Sequence, residues 1–276
     1  MAKKLTRITD IPVVILCGGL GTRLVEETET KPKPLVEIGG RPILWHIMRS
    51  YAHYGYRNFI LCLGYKGQLI RDYFLNYQYH VRDIRVTLGG APQVELLGAS
   101  SHADDNWNIT LADTGDAAMT GARVKRIEKY IHSDHFHLTY GDGVADVDLA
   151  KLAAFHFGHG AIGTVTGVRP PSRFGELVVD KGVVTSFAEK PEARSCKGSS
   201  VTGVINGGYF MFSKKFFKYL SSDDACVLER KPLEKLSQDQ QLMLYNHGGF
   251  WQCMDTMRDV TLLRELWTSG GAPWKK

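Results

Sequence analysis

The residues best suited to chemistry are two carboxylates, Asp142 and Asp255, and a basic set, Arg23, Lys31 and Lys33, that follows a glycine-rich turn. The turn reads GGLGTR over 18–23 and runs on to KPKP at 31–34. Gly18, Gly19 and Gly21 can take positive φ and let backbone N–H groups approach a ligand. Successive N–H groups in such a turn make a concave cradle for an anion. With the charges of Arg23, Lys31 and Lys33 behind it, the stretch reads as a phosphate site. Its spacing is neither Gly-x-Gly-x-x-Gly nor a Walker A loop. A plain tight turn with solvated basic residues is the competing reading. Asp142 lies between Gly141 and Gly143 just past an apolar run. An aspartate there suits Mg²⁺, which takes one or two carboxylates and completes its shell with phosphate oxygens and water. It equally suits an ordinary Asp-Gly turn. Asp255, in Met254-Asp255-Thr256, is either a second metal ligand or a helix N-cap.

Three further positions offer polar contacts. Lys190, in Glu189-Lys190-Pro191, can hold a second phosphate as a point charge or be a solvated lysine. Asn206, followed by Gly207 and Gly208, can hydrogen-bond a polyhydroxylated ligand or open a strand. Arg173, in PPSRFG, is a weaker candidate of the same kind.

The elements that must position these groups alternate. An apolar strand at 13–17 feeds a long structured loop at 18–41, then a helix from Pro42 to Tyr54 that ends at Gly55 and carries Trp45 as a core residue. A second apolar strand at 58–63 precedes a helix at 68–77. Strands are expected at 84–88, 107–112 and 136–139, with a variable surface loop at 89–106. A helix follows MTGAR to Tyr130, and another spans 148–158, capped by Asp146 or Asp148. The second half is richer in strands, at 162–167, 176–180, 183–187, 209–212 and 242–245. A turn at 180–182 joins two of them, a polar insert fills 192–202, and a last helix covers 259–267. This order predicts a mainly parallel sheet with helices on its faces and a β-rich lobe appended, with ligands at the carboxyl ends of the strands.

The chain has 276 residues, a net charge of +5 and five cysteines without a Cys-x-x-Cys pair. That length supports a sizeable core. The charge suits small anions and argues against nucleic acid as a partner. Cys17 and Cys62 fall in apolar strands as buried thiols, and thiolate metal sites and a disulfide framework are disfavoured, which points to a reducing cytoplasm. Residues 1–10 are basic and polar rather than a signal sequence, and no apolar run reaches the roughly 18 residues of a membrane span.

Taken together, GGLGTRL with KPKPLVEIGGRPILWHIM, GYKG at 64–67, DTG and MTGAR within 113–123, TYGDGV at 139–144, PPSRFGEL, EKP, INGGYF, ERKPLEKL and GFWQCMDTMRD at 249–259 keep one order over nearly the whole chain. As a set they resemble the sugar-1-phosphate nucleotidyltransferases, and within them the cytidylyl-transferring branch. The resemblance implies a Rossmann-like, GT-A-like fold in one domain over 11–270. Its nucleotide-binding part would be about 11–147 and its sugar-phosphate part about 148–270, after an N-terminal extension at 1–10. It implies CTP and a sugar 1-phosphate, glucose 1-phosphate first, as substrates, Mg²⁺ or Mn²⁺ as cofactor, and a homo-oligomer. Leu16, Gly18, Gly19, Gly21, Thr22 and Gly141 would bind the nucleotide, Arg23 its outer phosphates and Lys33 the α-phosphate. Ala118, Thr120 and Arg123 would lie near the base. Asp142 and Asp255 would hold the metal, with Arg23, Lys33 and Asp142 catalytic. Lys190, Glu189, Asn206, Gly207 and Arg173 would surround the sugar phosphate. Uridylyl or thymidylyl transfer, another sugar phosphate or a phosphonate as acceptor, a non-catalytic nucleotide-sugar sensor and a glycosyltransferase stay open.

Overall fold

The computed structural model describes residues 8–19, 21–91, 93–98, 106–170, 176–180, 183–188 and 203–276. Its centre is a seven-stranded sheet. In chain order the strands and helices that matter for the site are β1 (Val13–Leu16), α1 (Ile43–His53), β2 (Asn58–Leu63), α2 (Gly67–Leu75), β3 (Asn108–Asp113), α3 (Thr120–Arg126), β4 (His135–Tyr140), β5 (Gly143–Ala145), α4 (Leu149–His159), β6 (Gly163–Val168), β7 (Ile205–Ser213), α5 (Lys231–Gln238), β8 (Leu242–Asn246), β9 (Trp251–Cys253) and α6 (Met257–Thr268). The sheet order is β8-β6-β7-β4-β1-β2-β3. β1 is parallel to both β2 and β4, and β7 alone runs antiparallel to its two neighbours.

β1 explains why the sheet is two-faced. All four of its residues are buried, as a central parallel strand covered on both sides requires. Val13 and Ile15 face one core with Ile43, Leu44, Ile47 and Tyr51 of α1. Val14 and Leu16 face the other with Val124, Phe216 and Phe217. The period of two sends alternate side chains to opposite layers. Because β1, β2 and β4 are parallel, with Leu16 opposite both Cys62 and Tyr140, the turns at Gly18, Gly64 and Gly141 emerge on one edge.

The second half of the chain is β-rich, as its pattern indicates, and three of its strands complete the central sheet. β6, β7 and β8 extend it, while Glu176–Asp180 and Val183–Ala188 pair antiparallel outside it. Residues 93–96 differ from the surface loop expected there. Gln93–Leu96 pairs with Ile84–Thr87, setting Val94 opposite Val86 and Leu96 opposite Ile84. The alternation of this short strand is masked by the Gly, Ala and Ser around it. Trp45 also differs. It stays half-buried at the rim of α1, its indole N–H donating to the Tyr77 hydroxyl at 3.0 Å. Its neighbour His46 is the buried one, donating from Nε2 to the Ile38 carbonyl at 2.8 Å. The helix after Met119 starts at Thr120, so most of MTGAR forms its first turn. Asp148 caps α4, accepting from the Lys151 N–H at 3.0 Å. Cys17 and Cys62 are buried free thiols, as expected. No helix among the described residues is long and apolar enough to cross a membrane.

Three buried histidines make the fold acid-sensitive. Burial pulls His137 and His156 down to about 3 and His46 to about 4, from an ordinary 6.5. Each is neutral in the fold, so the unfolded chain binds protons first as pH falls below 6.5, and stability is lost from there downward. Each histidine should cost about 1.4 kcal/mol at pH 5.5 relative to pH 7.5. Urea midpoints measured at the two pH values should drop sharply at the lower one. Equal midpoints would mean that the histidines are solvated.

Candidate active site

Lys33 is the convergence point. Proline on either side and a short turn of 3₁₀ helix over Lys33–Leu35 fix its backbone, and its side chain is 11% exposed. Its ammonium donates to Asp142 Oδ2 at 2.7 Å and to Asp255 Oδ1 at 2.6 Å. Arg23, largely in solvent, reaches the other oxygen of Asp255 at 3.0 Å. Burial works against the Lys33 charge, but the Asp142 carboxylate and the hydrogen bonds to both aspartates carry its pKa above the usual lysine value. Burial likewise opposes ionisation of Asp255, and is outweighed by the hydrogen bond and charge of Lys33 and the charge of Arg23, so its pKa falls.

The two aspartates meet because β5 and β9 pair. Cys253 stands opposite Gly143, and the Met254 N–H donates to the Asp142 carbonyl at 2.8 Å. Asp255 follows at once. It is not the cap of α6: Thr256 is, in a capping box with Asp259. Asp259 also accepts from the Asp255 N–H at 3.1 Å, which fixes the backbone and leaves the Asp255 carboxylate for the site.

A cleft of about 440 Å³ lies on one side of this cluster, between the Gly18–Thr22 turn and the start of α3. Leu16, Gly18, Gly19, Gly21, Thr22, Arg23, Lys33, Ala118, Thr120, Arg123, Gly141 and Asp142 all line it, so every nucleotide-binding candidate is gathered there. A second compartment of about 250 Å³ holds Asn206, Gly207 and Asp255. Arg23, Tyr140 and Asp142 line both, so the two spaces meet at Asp142, with Asp255 on the side of the smaller one. The Trp251 indole N–H donates to the Gly207 carbonyl at 2.7 Å and holds that wall. Arg173, Glu189 and Lys190 lie outside the described residues.

Several roles differ from the sequence reading. Of Gly18, Gly19 and Gly21, only Gly21 has positive φ, at 67°. Gly18 is required for another reason: a Cβ there would lie 2.2 Å from the Arg123 guanidinium. Arg123, expected beside the base, spends its donors on backbone. It reaches the carbonyls of Gly18, Leu63, Gly115 and Asp116 and the Thr114 hydroxyl, at 2.8–3.2 Å. It is 4% exposed and ties three loops into the cleft wall. Lys31 pairs with Glu27 at 3.4 Å and lines neither space. Tyr140 and Glu229 were not legible as site residues. The Tyr140-Gly141-Asp142 sequence draws attention to the aspartate, and Glu229 meets the site through the Thr120 and Tyr140 hydroxyls, both distant in the chain.

The two carboxylates fit a cation. Both aim an oxygen at one point, which the Lys33 ammonium fills. Two carboxylates beside an anion cleft is the donor set Mg²⁺ favours. Among the described residues no group of three or more His, Cys, Asp or Glu could hold a metal.

The model of the nucleotidyl transferase family matches residues 12–256. The chain belongs to that family. Among curated members, it is 48% identical to the glucose-1-phosphate cytidylyltransferase of Salmonella typhi over 95% of this chain and 98% of that one. It is 42% identical to the probable glucose-1-phosphate cytidylyltransferase of Bacillus subtilis (strain 168), over 95% and 98% of the two chains. Among solved structures, a UDP-glucose pyrophosphorylase complexed with UDP-glucose superposes with a TM-score of 0.66. It covers 94% of this chain and 99% of that one at 12% identity, a likeness of fold alone.

Replacing Lys33 by Met removes the shared partner of two half-buried carboxylates. Breaking such a pair costs about 3 kcal/mol. Thermal denaturation of Lys33→Met without divalent ions should show that loss, and millimolar Mg²⁺ should restore more stability to the variant than to the parent. An equal response of both to Mg²⁺ would remove the aspartates from metal binding.

Proposed function

We propose that this nucleotidyl transferase moves a cytidylyl group from CTP to α-D-glucose 1-phosphate, giving CDP-glucose and pyrophosphate. One observation carries the reading: two compartments of unequal size meet at the Lys33–Asp142–Asp255 cluster. The names of the relatives at 48% and 42% identity supply the substrates.

On this reading the triphosphate lies along the Gly18–Thr22 turn, with Arg23 at its outer phosphates and Lys33 at the α-phosphate. The sugar phosphate occupies the compartment of Asn206 and Gly207, and the family resemblance assigns Lys190 to its phosphate and Glu189 and Arg173 to the sugar phosphate as well. A sugar-phosphate oxygen forms a bond to the α-phosphorus as the bond to pyrophosphate breaks on the opposite side. The nucleophile is already ionised at neutral pH, so no general base is needed. Catalysis then rests on alignment and on positive charge set in place beforehand. Mg²⁺ held by Asp142 and Asp255 would neutralise phosphate charge. Lys33, drawn from the carboxylates to the reacting phosphate, would stabilise the charge that develops there. A cytoplasmic setting and assembly with further copies of the chain belong to the same reading. Their support is the absence of a disulfide among the described cysteines and the exposed apolar residues Ile84, Val86 and Val94.

Incubation with Mg²⁺ and each nucleoside triphosphate against several sugar 1-phosphates tests the reading. Pyrophosphate should appear with CTP and glucose 1-phosphate in preference to every other pair. Release from none of them would reject the activity, and a preference for UTP or dTTP would reassign the donor. With the preferred pair, Asp142→Asn should lower kcat by about 100-fold or more without unfolding the chain. Lys33→Ala should lower kcat more than it raises the KM for CTP. The opposite split would assign Lys33 to ground-state binding.

A further inference from the structure

Glu229 lines neither compartment, yet hydrogen bonds from both run to it. The Thr120 hydroxyl donates to its Oε2 at 2.7 Å, and the Tyr140 hydroxyl donates to its Oε1. Asn206 Nδ2 in turn donates to the Tyr140 oxygen at 3.3 Å, and the Gly208 N–H donates to Asn206 Oδ1 at 2.8 Å. The Leu228 N–H donates to Thr120 Oγ1 at 2.9 Å. A carboxylate has no proton to give, so every bond in the network points toward Glu229 and each member's polarity is set.

The consequence is sharpest at Thr120. A hydroxyl has one proton and two lone pairs. Glu229 takes the proton and Leu228 takes one lone pair. What remains for a ligand in the larger cleft is a single acceptor. A base edge with an amino group satisfies it, whereas an edge with a carbonyl meets oxygen with oxygen and leaves both unpaired. Sites that leave a buried polar group unpaired discriminate strongly. On the other branch, Glu229 turns the Tyr140 proton away from Asn206. That leaves Tyr140 to accept from the Asn206 amide, which fixes the amide's orientation in the smaller compartment.

We infer that Glu229 is a specificity-determining positioning residue, which holds Thr120 as an acceptor toward the base and so selects a 4-amino pyrimidine over a 4-oxo pyrimidine. The inference rests on the reading that the nucleotide base lies against Ala118–Thr120. Because Glu229 is exposed at the surface, its replacement by Ala leaves the core intact and frees the Thr120 proton to swing toward a ligand.

The test measures kcat/KM for CTP and for UTP, with glucose 1-phosphate as acceptor, in the parent, Glu229→Ala, Thr120→Val, the double variant and Tyr140→Phe. In Glu229→Ala the CTP-to-UTP ratio should fall about tenfold. In the Thr120→Val background the same change should leave the ratio unaltered, since the group it acts through is gone. Tyr140→Phe cuts the branch to Asn206 and keeps the Thr120–Glu229 bond, so it should raise the KM for glucose 1-phosphate and keep the base ratio. A ratio unchanged in Glu229→Ala, or falling as far with Val at 120 as with Thr, would overturn the inference, because a merely structural role lowers both nucleotides alike. A parent enzyme that does not prefer CTP would instead reject the donor assignment beneath it.

Discussion

One ammonium between two carboxylates is the constraint on which the site depends. Lys33 is nearly buried, and Asp142 and Asp255 approach it from elements distant in the chain. Two carboxylates facing one point repel each other unless a cation lies between them. Lysine supplies that cation. On the proposed reading a divalent ion with its phosphates takes its place, and the arrangement that organises the site beforehand then releases Lys33 to the reacting phosphate. A mobile point charge on a four-carbon stem suits that exchange better than a planar guanidinium fork would.

Around this cluster the fold uses a second buried cation for a different purpose. Arg123 is saturated by carbonyl groups and a threonine hydroxyl, and ties the turn after β1, the end of β2 and the loop after β3 together. It shapes the wall of the larger cleft, with its donors turned to the backbone. Gly18 and Gly64 are glycines because any side chain there would collide with its guanidinium. The conformational freedom usually credited to such turns is needed at Gly21 and not at Gly18.

Much of this architecture was legible in the amino-acid order. Val13–Leu16 and Asn58–Leu63 read as central strands because unbroken apolar runs have nowhere else to go in an α/β chain. The nucleotide-binding candidates gathered in one cleft because most of them lie in turns at the carboxyl ends of adjacent parallel strands. Local chemistry misled where a pattern was short or shared. Gln93–Leu96 passed for a loop and Trp45 for core. In each case the deciding partner, Val86 across the hairpin or Tyr77 beside α1, belongs to another segment.

The sequence by itself determined most of the element order, the parallel core and the inventory of candidate phosphate-binding and metal-binding groups, because periodicity, glycine turns and residue chemistry are local properties. Only the tertiary structure decided which of those groups meet. Pairing of Cys253 with Gly143 brings Asp255 beside Asp142, and Thr256 takes over the capping role that Asp255 could have filled. Glu229 connects Thr120 with Tyr140 although all three are far apart in the chain. Hydrogen bonds act over about 3 Å, and closure of the chain, not proximity along it, sets which groups come within that reach.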